Sequence, residues 1–167
     1  MKRLIGLILA VGFCTSGVEA GMWSDEITNG LKTERYIYVA TRRINGQWST
    51  AAPVWFMYDG EGLYFTTAPS SHKAHRIHRG SPVKIWVGTK DGPSFEGKAQ
   101  FVKDGSLAQR MGKAYSDKYW IAWLGFFRPR PARVGSGKTL LVKVTPYLSS
   151  STQEKATPIS GRGTTQE

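Results

Sequence analysis

Short segments in which apolar and polar residues alternate recur along most of the chain, and clusters of Gly, Pro, Asn and Asp separate them. Alternation with a period of two is typical of half-buried β-strands, and the spacing of these segments is that of hairpins. The strands predicted in this way are 35–42, 47–58, 63–67, 83–87, 95–103 and 139–145. The pattern predicts a mainly β fold (α+β), an antiparallel barrel of about six strands with short inserted helices, because no βαβ rhythm is present.

Turn residues set several boundaries within this pattern. The dipeptide Asn45-Gly46 predicts a two-residue hairpin, with 47–58 as the returning strand. Pro53 lies inside that strand and indicates an edge, a bulge or a stretch that faces a ligand. The segment 128–131 contains two prolines and cannot be helical throughout.

Three helices are predicted from cap residues and helical spacing. Ser24 is followed by two acids and begins a short helix, and Ser71 begins a basic one that extends to Arg79. Asp104 is expected to cap a helix over about 107–115. The aromatic segment 119–127 is compatible with either a helix or a loop.

The two ends of the chain differ from its centre. Residues 1–20 have a basic start, an apolar run and a small-residue cleavage site, which is the layout of a signal peptide and predicts export. Cys14, the only cysteine, lies in this segment, so the chain can form no internal disulfide. Alternatively, Met22 is the true start and the protein is cytoplasmic. Residues 22–146 form the predicted domain, and 147–167 a polar tail expected to be disordered.

Composition narrows the class of partner. Hydrophobic residues make up 40% and aromatic residues 12% of the chain, which is sufficient for a packed core and leaves some rings for a pocket or a subunit interface. The net charge of +11 favours anionic partners, namely nucleic acid, an acidic membrane surface or a phosphorylated cofactor. Charge alone does not choose among these three.

Hydroxyl and cationic residues concentrate in segment 63–77, where a strand runs through a Pro-Ser-Ser turn into the basic helix. Hydroxyl donors, a helix start and nearby Lys and Arg side chains together suit a phosphate or a carboxylate. A basic solvated face would have the same composition. The candidate anion ligands are Thr66, Thr67, Ser70, Ser71, His72, Lys73 and Arg76.

Two other motifs suggest chemistry that their context does not support. Segment 135–139 ends in Gly-Lys-Thr like a P-loop, but Ala132 replaces the required first glycine and a strand is predicted to follow. The three histidines His72, His75 and His78 fan around their helix, with no carboxylate or cysteine nearby to complete a metal site. No carboxylate pair or activated nucleophile is evident either, so any catalysis would depend on a bound cofactor.

The order and spacing of several motifs resemble the pyridoxamine-phosphate-oxidase-like flavin and deazaflavin proteins, which are split β-barrels. The resemblance covers roughly residues 27–146 and includes features of the deazaflavin-dependent branch. The segments that carry it are 38–43, 45–46, 50–56, 63–67, 71–73, 76–77, 82–83, 95–99 and 115–119. No C-terminal signature of the true oxidases is present, so a role in vitamin B6 synthesis is not expected.

The resemblance implies a homodimer that binds FMN or the deazaflavin coenzyme F420 at the subunit interface. It implies a cofactor phosphate held by Thr67, Ser71 and Lys73, with Thr66, Ser70 and Arg76 as neighbours. It implies a cofactor ring beside Pro53, Val54 and Trp55. His72 stands where relatives often have Arg, which puts the strength of phosphate binding in doubt.

Three hypotheses for function follow. The first is an oxidoreductase that transfers hydride between the cofactor ring and a small substrate, with Tyr119, Trp120 and Trp123 forming either the substrate wall or part of a dimer core. The second is a non-catalytic flavin or haem carrier. The third, a nucleic-acid-binding barrel, rests only on charge and aromatic content and is the least favoured.

Overall fold

The computed structural model describes residues 23–121 and 128–147. Its seven strands are β1 (Ile37–Thr41), β2 (Ala52–Val54), β3 (Phe56–Tyr58), β4 (Leu63–Thr67), β5 (Val83–Val87), β6 (Ser94–Val102) and β7 (Leu140–Pro146). Its helices are α1 (Asp25–Thr33), α2 (His72–His78), α3 (Gly105–Lys118) and α4 (Pro131–Gly135). All strand pairs are antiparallel, in the order β2-β1-β5-β6-β7-β4-β3. The predicted mainly β barrel with short inserted helices is confirmed.

The barrel closes through a break in one predicted strand. Residues 47–58 do not form a single returning strand, because β2 and β3 are separated at Trp55 and lie at opposite edges of the sheet. Val54 pairs with Ile37 of β1, whereas Phe56 pairs with Phe65 of β4. One continuous stretch of chain therefore joins the two edges, which accounts for seven strands where about six were expected.

The first hairpin also differs from its prediction. The Arg43 N–H donates to the Gln47 carbonyl at 2.7 Å and the Gly46 N–H to the Arg43 carbonyl at 3.0 Å, so the loop has three residues rather than two. Gly46 has a φ of 82°, a conformation that glycine adopts without a steric penalty. This geometry matches a hairpin in which a turn is followed by a left-handed residue.

The remaining elements lie close to their predicted positions. Ser24, Ser71 and Asp104 each accept a hydrogen bond from a backbone N–H of the helix that follows. Helix α3 continues to Lys118, three residues beyond its predicted end. Segment 135–139 leads into strand β7, as expected for a strand-entry turn rather than a P-loop. The predicted signal peptide, residues 148–167 of the predicted tail and Trp123 lie outside the described residues.

Apolar residues form two cores on the two sides of the barrel wall. The barrel interior holds Phe56, Phe65 and the alternate residues of the long strands, with α1 and α2 contributing Ile27 and Ile77. A second cluster lies between α3 and the outer face of the sheet. No helix in the described part of the chain has the length and apolarity that crossing a bilayer requires.

Candidate functional site

The break at Trp55 leaves part of strand β4 open on one edge. Strand β3 pairs with β4 only as far as Phe65, whereas β7 pairs with it as far as Thr67. Thr66 and Thr67 therefore extend past β3, beside the point where the chain turns away to join β1. An uncovered strand edge presents backbone groups that a ligand can contact.

An open pocket of about 370 Å³ lies at this break. It is lined by Tyr36, Pro53, Val54, Trp55, Thr66 and Tyr115. The structure thus brings together the three residues predicted to lie beside a cofactor ring. The lining is mainly apolar and aromatic, which suits the face of a planar ring.

Tyr115 of α3 and Tyr119, which follows the last residue of that helix, hold the break in place. The Tyr115 hydroxyl donates to the Trp55 carbonyl at 2.8 Å. The Tyr119 hydroxyl donates to the Arg35 carbonyl at 2.6 Å and accepts from the Phe56 N–H at 3.2 Å. The Trp55 ring stacks on Tyr119 with centroids 4.3 Å apart. These contacts bind the backbone groups that strand pairing leaves free at the break.

Burial changes the acidity of both tyrosines. Desolvation by burial raises the pKa of Tyr119 to about 12, and it raises the pKa of Tyr115 above its ordinary value. Both phenols are therefore protonated at neutral pH and can act as hydrogen-bond donors. Tyr119 is buried, so it belongs to the packed wall behind the pocket, whereas Trp120 is 73% exposed.

Thr67 and Ser71 form the centre of the predicted phosphate cradle. Their hydroxyl oxygens lie 2.8 Å apart, and the Ser71 hydroxyl accepts from the Ala74 N–H at 3.0 Å. Thr66 is on the opposite face of β4, where it lines the pocket beside Tyr115. Successive residues of a strand face opposite sides of the sheet, so Thr66 faces the pocket and Thr67 faces Ser71.

Lys73 is a half-buried cation beside this cradle. Its Nζ lies 5.4 Å from the centroid of the Phe65 ring. Desolvation by burial lowers the pKa of Lys73 to about 8. Among the ion pairs of the described residues, none involves Lys73. A buried cation with no counter-charge is costly, so an anionic ligand would relieve this cost.

The other predicted phosphate neighbours are placed differently. The Arg76 guanidinium donates to the Thr41 hydroxyl at 3.2 Å, which secures α2 to the end of β1. Ser70 is exposed in the turn before α2. The three histidines are exposed on α2, and the described residues contain no cluster of metal-ligating side chains.

Sequence patterns did not identify Tyr36 and Tyr115 as pocket residues. Tyr36 lies just before β1 and is 41% exposed, so it carries no mark of a binding residue in the sequence. Tyr115 and Tyr119 are four positions apart on the chain, and this spacing places them on one side of a helix. That spacing was the available signal for an aromatic contact between α3 and the barrel.

Comparison with known proteins identifies a family. The family model described as pyridoxamine 5'-phosphate oxidase matches residues 23–148. No protein in the curated set matches the chain.

Several solved structures share the fold. A candidate pyridoxamine 5'-phosphate oxidase from Listeria innocua has 20% identity and a TM-score of 0.54, over 73% of this chain and 91% of that one. The conserved protein Rv2991 from Mycobacterium tuberculosis has 22% identity and a TM-score of 0.53, over 74% and 81%. The heme storage protein HutZ from Vibrio cholerae has 13% identity and a TM-score of 0.53, over 74% and 89%.

Proposed function

The chain belongs to the pyridoxamine 5'-phosphate oxidase family, and from this premise we propose that it is an oxidoreductase that binds a phosphorylated flavin or deazaflavin. The cofactor is FMN or coenzyme F420, and the substrate is a small molecule that receives or donates hydride. Thr67, Ser71 and Lys73 bind the phosphate. Pro53, Val54 and Trp55 border the ring.

Lys73 is the observation that supports this proposal most strongly. Its ammonium group is half-buried, its pKa is lowered to about 8 by desolvation, and no carboxylate of the described residues neutralises it. The paired hydroxyls of Thr67 and Ser71 stand at the turn into the same helix. A phosphate would restore the missing counter-charge and accept hydrogen bonds from all three side chains.

The pocket residues bind and orient rather than transfer protons. Trp55 is fixed by stacking on Tyr119 and by the Tyr115 hydrogen bond to its carbonyl, so its position is set before any ligand enters. Among the described residues, the lining contains no carboxylate, imidazole or thiol. A bound flavin or deazaflavin would supply hydride transfer at its ring. Proton exchange with the substrate would then fall to solvent or to a partner subunit.

The proposal includes a homodimer, as the family resemblance implies. Tyr36 at the pocket rim and Trp120 just beyond α3 are 41% and 73% exposed. Large exposed rings beside a pocket that is open on one side suit a surface that a second subunit covers. The dimer would complete the pocket wall on this side.

Ligand titration with matched pairs tests the assignment. FMN is compared with riboflavin, and coenzyme F420 with its phosphate-free deazaflavin precursor, by fluorescence. In the correct pair the phosphorylated molecule should bind at least about ten-fold more tightly, since each charge-assisted hydrogen bond contributes roughly 1.5–3 kcal/mol. Equal affinities within both pairs would refute the phosphate cradle. If one pair does differ, steady turnover of a substrate with an electron donor would show that the protein is an oxidoreductase.

A carrier without turnover is the second candidate, because the described residues of the pocket lining include no carboxylate, imidazole or thiol for acid–base catalysis. Such a carrier would hold a flavin or a haem. The visible spectrum of the purified protein distinguishes a haem band from a flavin band, and mass spectrometry identifies whatever small molecule co-purifies. Binding of the cofactor without turnover for any donor would favour this candidate.

A further inference from the structure

A second pocket, of about 320 Å³, lies between the β1–β2 hairpin and the loop after α2. It is lined by Arg42, Arg43, Ile44, Arg79, Gly80, Ser81 and Pro82. None of these residues lines the pocket at the break. The Arg42 N–H donates to the Ser81 hydroxyl at 2.9 Å, and that hydroxyl donates to the Arg42 carbonyl at 3.0 Å, so the two walls are joined.

This surface is strongly positive. The sequence has no Asp or Glu in residues 35–58 or 62–90, which include both walls of the pocket. Arg42 forms a long ion pair with Glu96, at 3.7 Å. Arg43 and Arg79 take part in no ion pair among the described residues. Three guanidinium groups around one concavity suit the phosphate groups of an anionic surface.

The hairpin also presents an apolar side chain at its tip. Ile44 is 96% exposed between Arg43 and the turn residues. Trp48, at the base of the hairpin, is half-buried and lies under the Arg42 guanidinium, which is 4.7 Å from the ring centroid. An exposed aliphatic residue, a tryptophan and several arginines on one face are the composition of segments that lie at a membrane interface.

We propose that this face docks the protein on an anionic lipid bilayer. Ile44 enters the boundary between headgroups and acyl chains, and Arg42, Arg43 and Arg79 contact lipid phosphates. A single-stranded nucleic acid is another polyanion that the charge would suit, but its bases stack on exposed aromatic faces. The hairpin tip offers Ile44 instead, and the Trp48 ring is covered by Arg42.

Vesicle binding of the full chain tests the charge component. Binding to vesicles of phosphatidylcholine with phosphatidylglycerol is compared with binding to phosphatidylcholine alone. The variants Arg43→Gln and Arg79→Gln should each lose about five-fold in affinity for the anionic vesicles, and together about 25-fold. Lys32→Gln is the matched control, since this exposed lysine is on α1 near the opposite end of β1. Equal losses in control and arginine variants would overturn the proposal.

A site-specific probe tests the insertion of Ile44 separately from any binding by the N-terminal segment. In a Cys14→Ser background, Ile44→Cys and Lys32→Cys are labelled with an environment-sensitive fluorophore. Anionic vesicles should shift the emission of the label at position 44 to shorter wavelength and leave that at position 32 unchanged. An unshifted label at position 44, or binding of single-stranded DNA that vesicles fail to displace, would overturn the proposal.

Discussion

Lys73 and Lys118 lie on two different helices, and each side chain contacts one of a pair of core phenylalanines. The Nζ of Lys73 lies 5.4 Å from the Phe65 ring centroid and that of Lys118 lies 3.6 Å from the Phe56 centroid. Phe56 and Phe65 are register partners in β3 and β4. Desolvation by burial lowers the pKa of both lysines to about 8. Both side chains are therefore half-buried cations that pack near an aromatic ring of the core.

Their electrostatic surroundings differ. Glu34 raises the pKa of Lys118 in partial opposition to burial, and Lys118 is in the last turn of α3, where the helix dipole favours a cation. Lys73 is in the first turn of α2, where the dipole disfavours a cation, and only desolvation acts on its pKa. The comparison separates a lysine that the fold accommodates from one for which we propose a counter-charge supplied by a ligand.

Replacing each lysine by methionine should give the largest difference in cofactor affinity between the two positions. Lys73→Met is expected to weaken binding of the phosphorylated cofactor about ten- to a hundred-fold, because one charge-assisted contact to the phosphate is lost. Lys118→Met should leave the affinity unchanged. Both are measured by fluorescence titration with FMN or coenzyme F420, whichever binds. Equal effects of the two substitutions would contradict a special role for Lys73.

The Tyr119 hydroxyl should affect the stability of the fold rather than the binding of the phosphate. Tyr119→Phe removes the acceptor for the Phe56 N–H and the donor to the Arg35 carbonyl. The expected loss in the free energy of unfolding is about 1–3 kcal/mol, since one buried group is left unsatisfied. Urea denaturation measures it, and Tyr36→Phe is the control because the Tyr36 side chain is partly exposed. Identical curves for the two variants would show that the hydrogen bonds of the Tyr119 hydroxyl contribute nothing to stability.

The pH dependence of binding should follow Lys73. Its pKa in the ligand-free protein is about 8, below the ordinary value of 10.5. Above pH 8 the lysine loses its proton, so cofactor affinity should fall about ten-fold per pH unit. The contribution of Lys73 to the free energy of unfolding of the ligand-free protein should change in the opposite direction and rise between pH 8 and 10.5, since Lys73 there binds its proton more strongly in the unfolded chain.

The Lys73→Met variant provides the control for both pH measurements. Its cofactor affinity should be flat between pH 7 and 10, and its stability should rise less over that range because Lys73 no longer contributes and Lys118 still does. An affinity that falls with pH as steeply in Lys73→Met as in the unsubstituted chain would assign the titration to another group.

Much of the fold was predictable because local signals determine it. Alternation located the long strands, and the cap residues Ser24, Ser71 and Asp104 located three helix starts. The break at Trp55 was not predictable, because residues 52–58 keep the composition of one strand while their partners lie at opposite edges of the sheet. Pairing between strands that are far apart in sequence produces no signal in the local residue pattern.

The candidate site was predictable to a similar extent. The residues Pro53, Val54 and Trp55 do line a pocket, and Thr67 and Ser71 do meet. Strand periodicity predicts that Thr66 and Thr67 face opposite sides of the sheet. Which of the two faces the pocket depends on where β3 ends, and the sequence does not show this. The isolation of Lys73 from the carboxylates of the described residues is a tertiary property that composition could not reveal.

The smallest expected effect concerns the hydroxyl of Ser71, which has two roles that a matched serine separates. Ser71 caps α2 by accepting from the Ala74 N–H at 3.0 Å and also contacts Thr67, whereas Ser24 caps α1 by accepting from the Ile27 N–H at 3.3 Å. Substitution of either serine by alanine should cost about 1 kcal/mol of stability. Only Ser71→Ala should also weaken cofactor binding, by about five-fold, since it removes a phosphate donor. Thermal denaturation and ligand titration of the two variants measure both quantities.

A cofactor affinity that falls equally in Ser24→Ala and Ser71→Ala would show that the loss reflects helix capping alone, and the phosphate cradle would then reduce to Thr67 and Lys73.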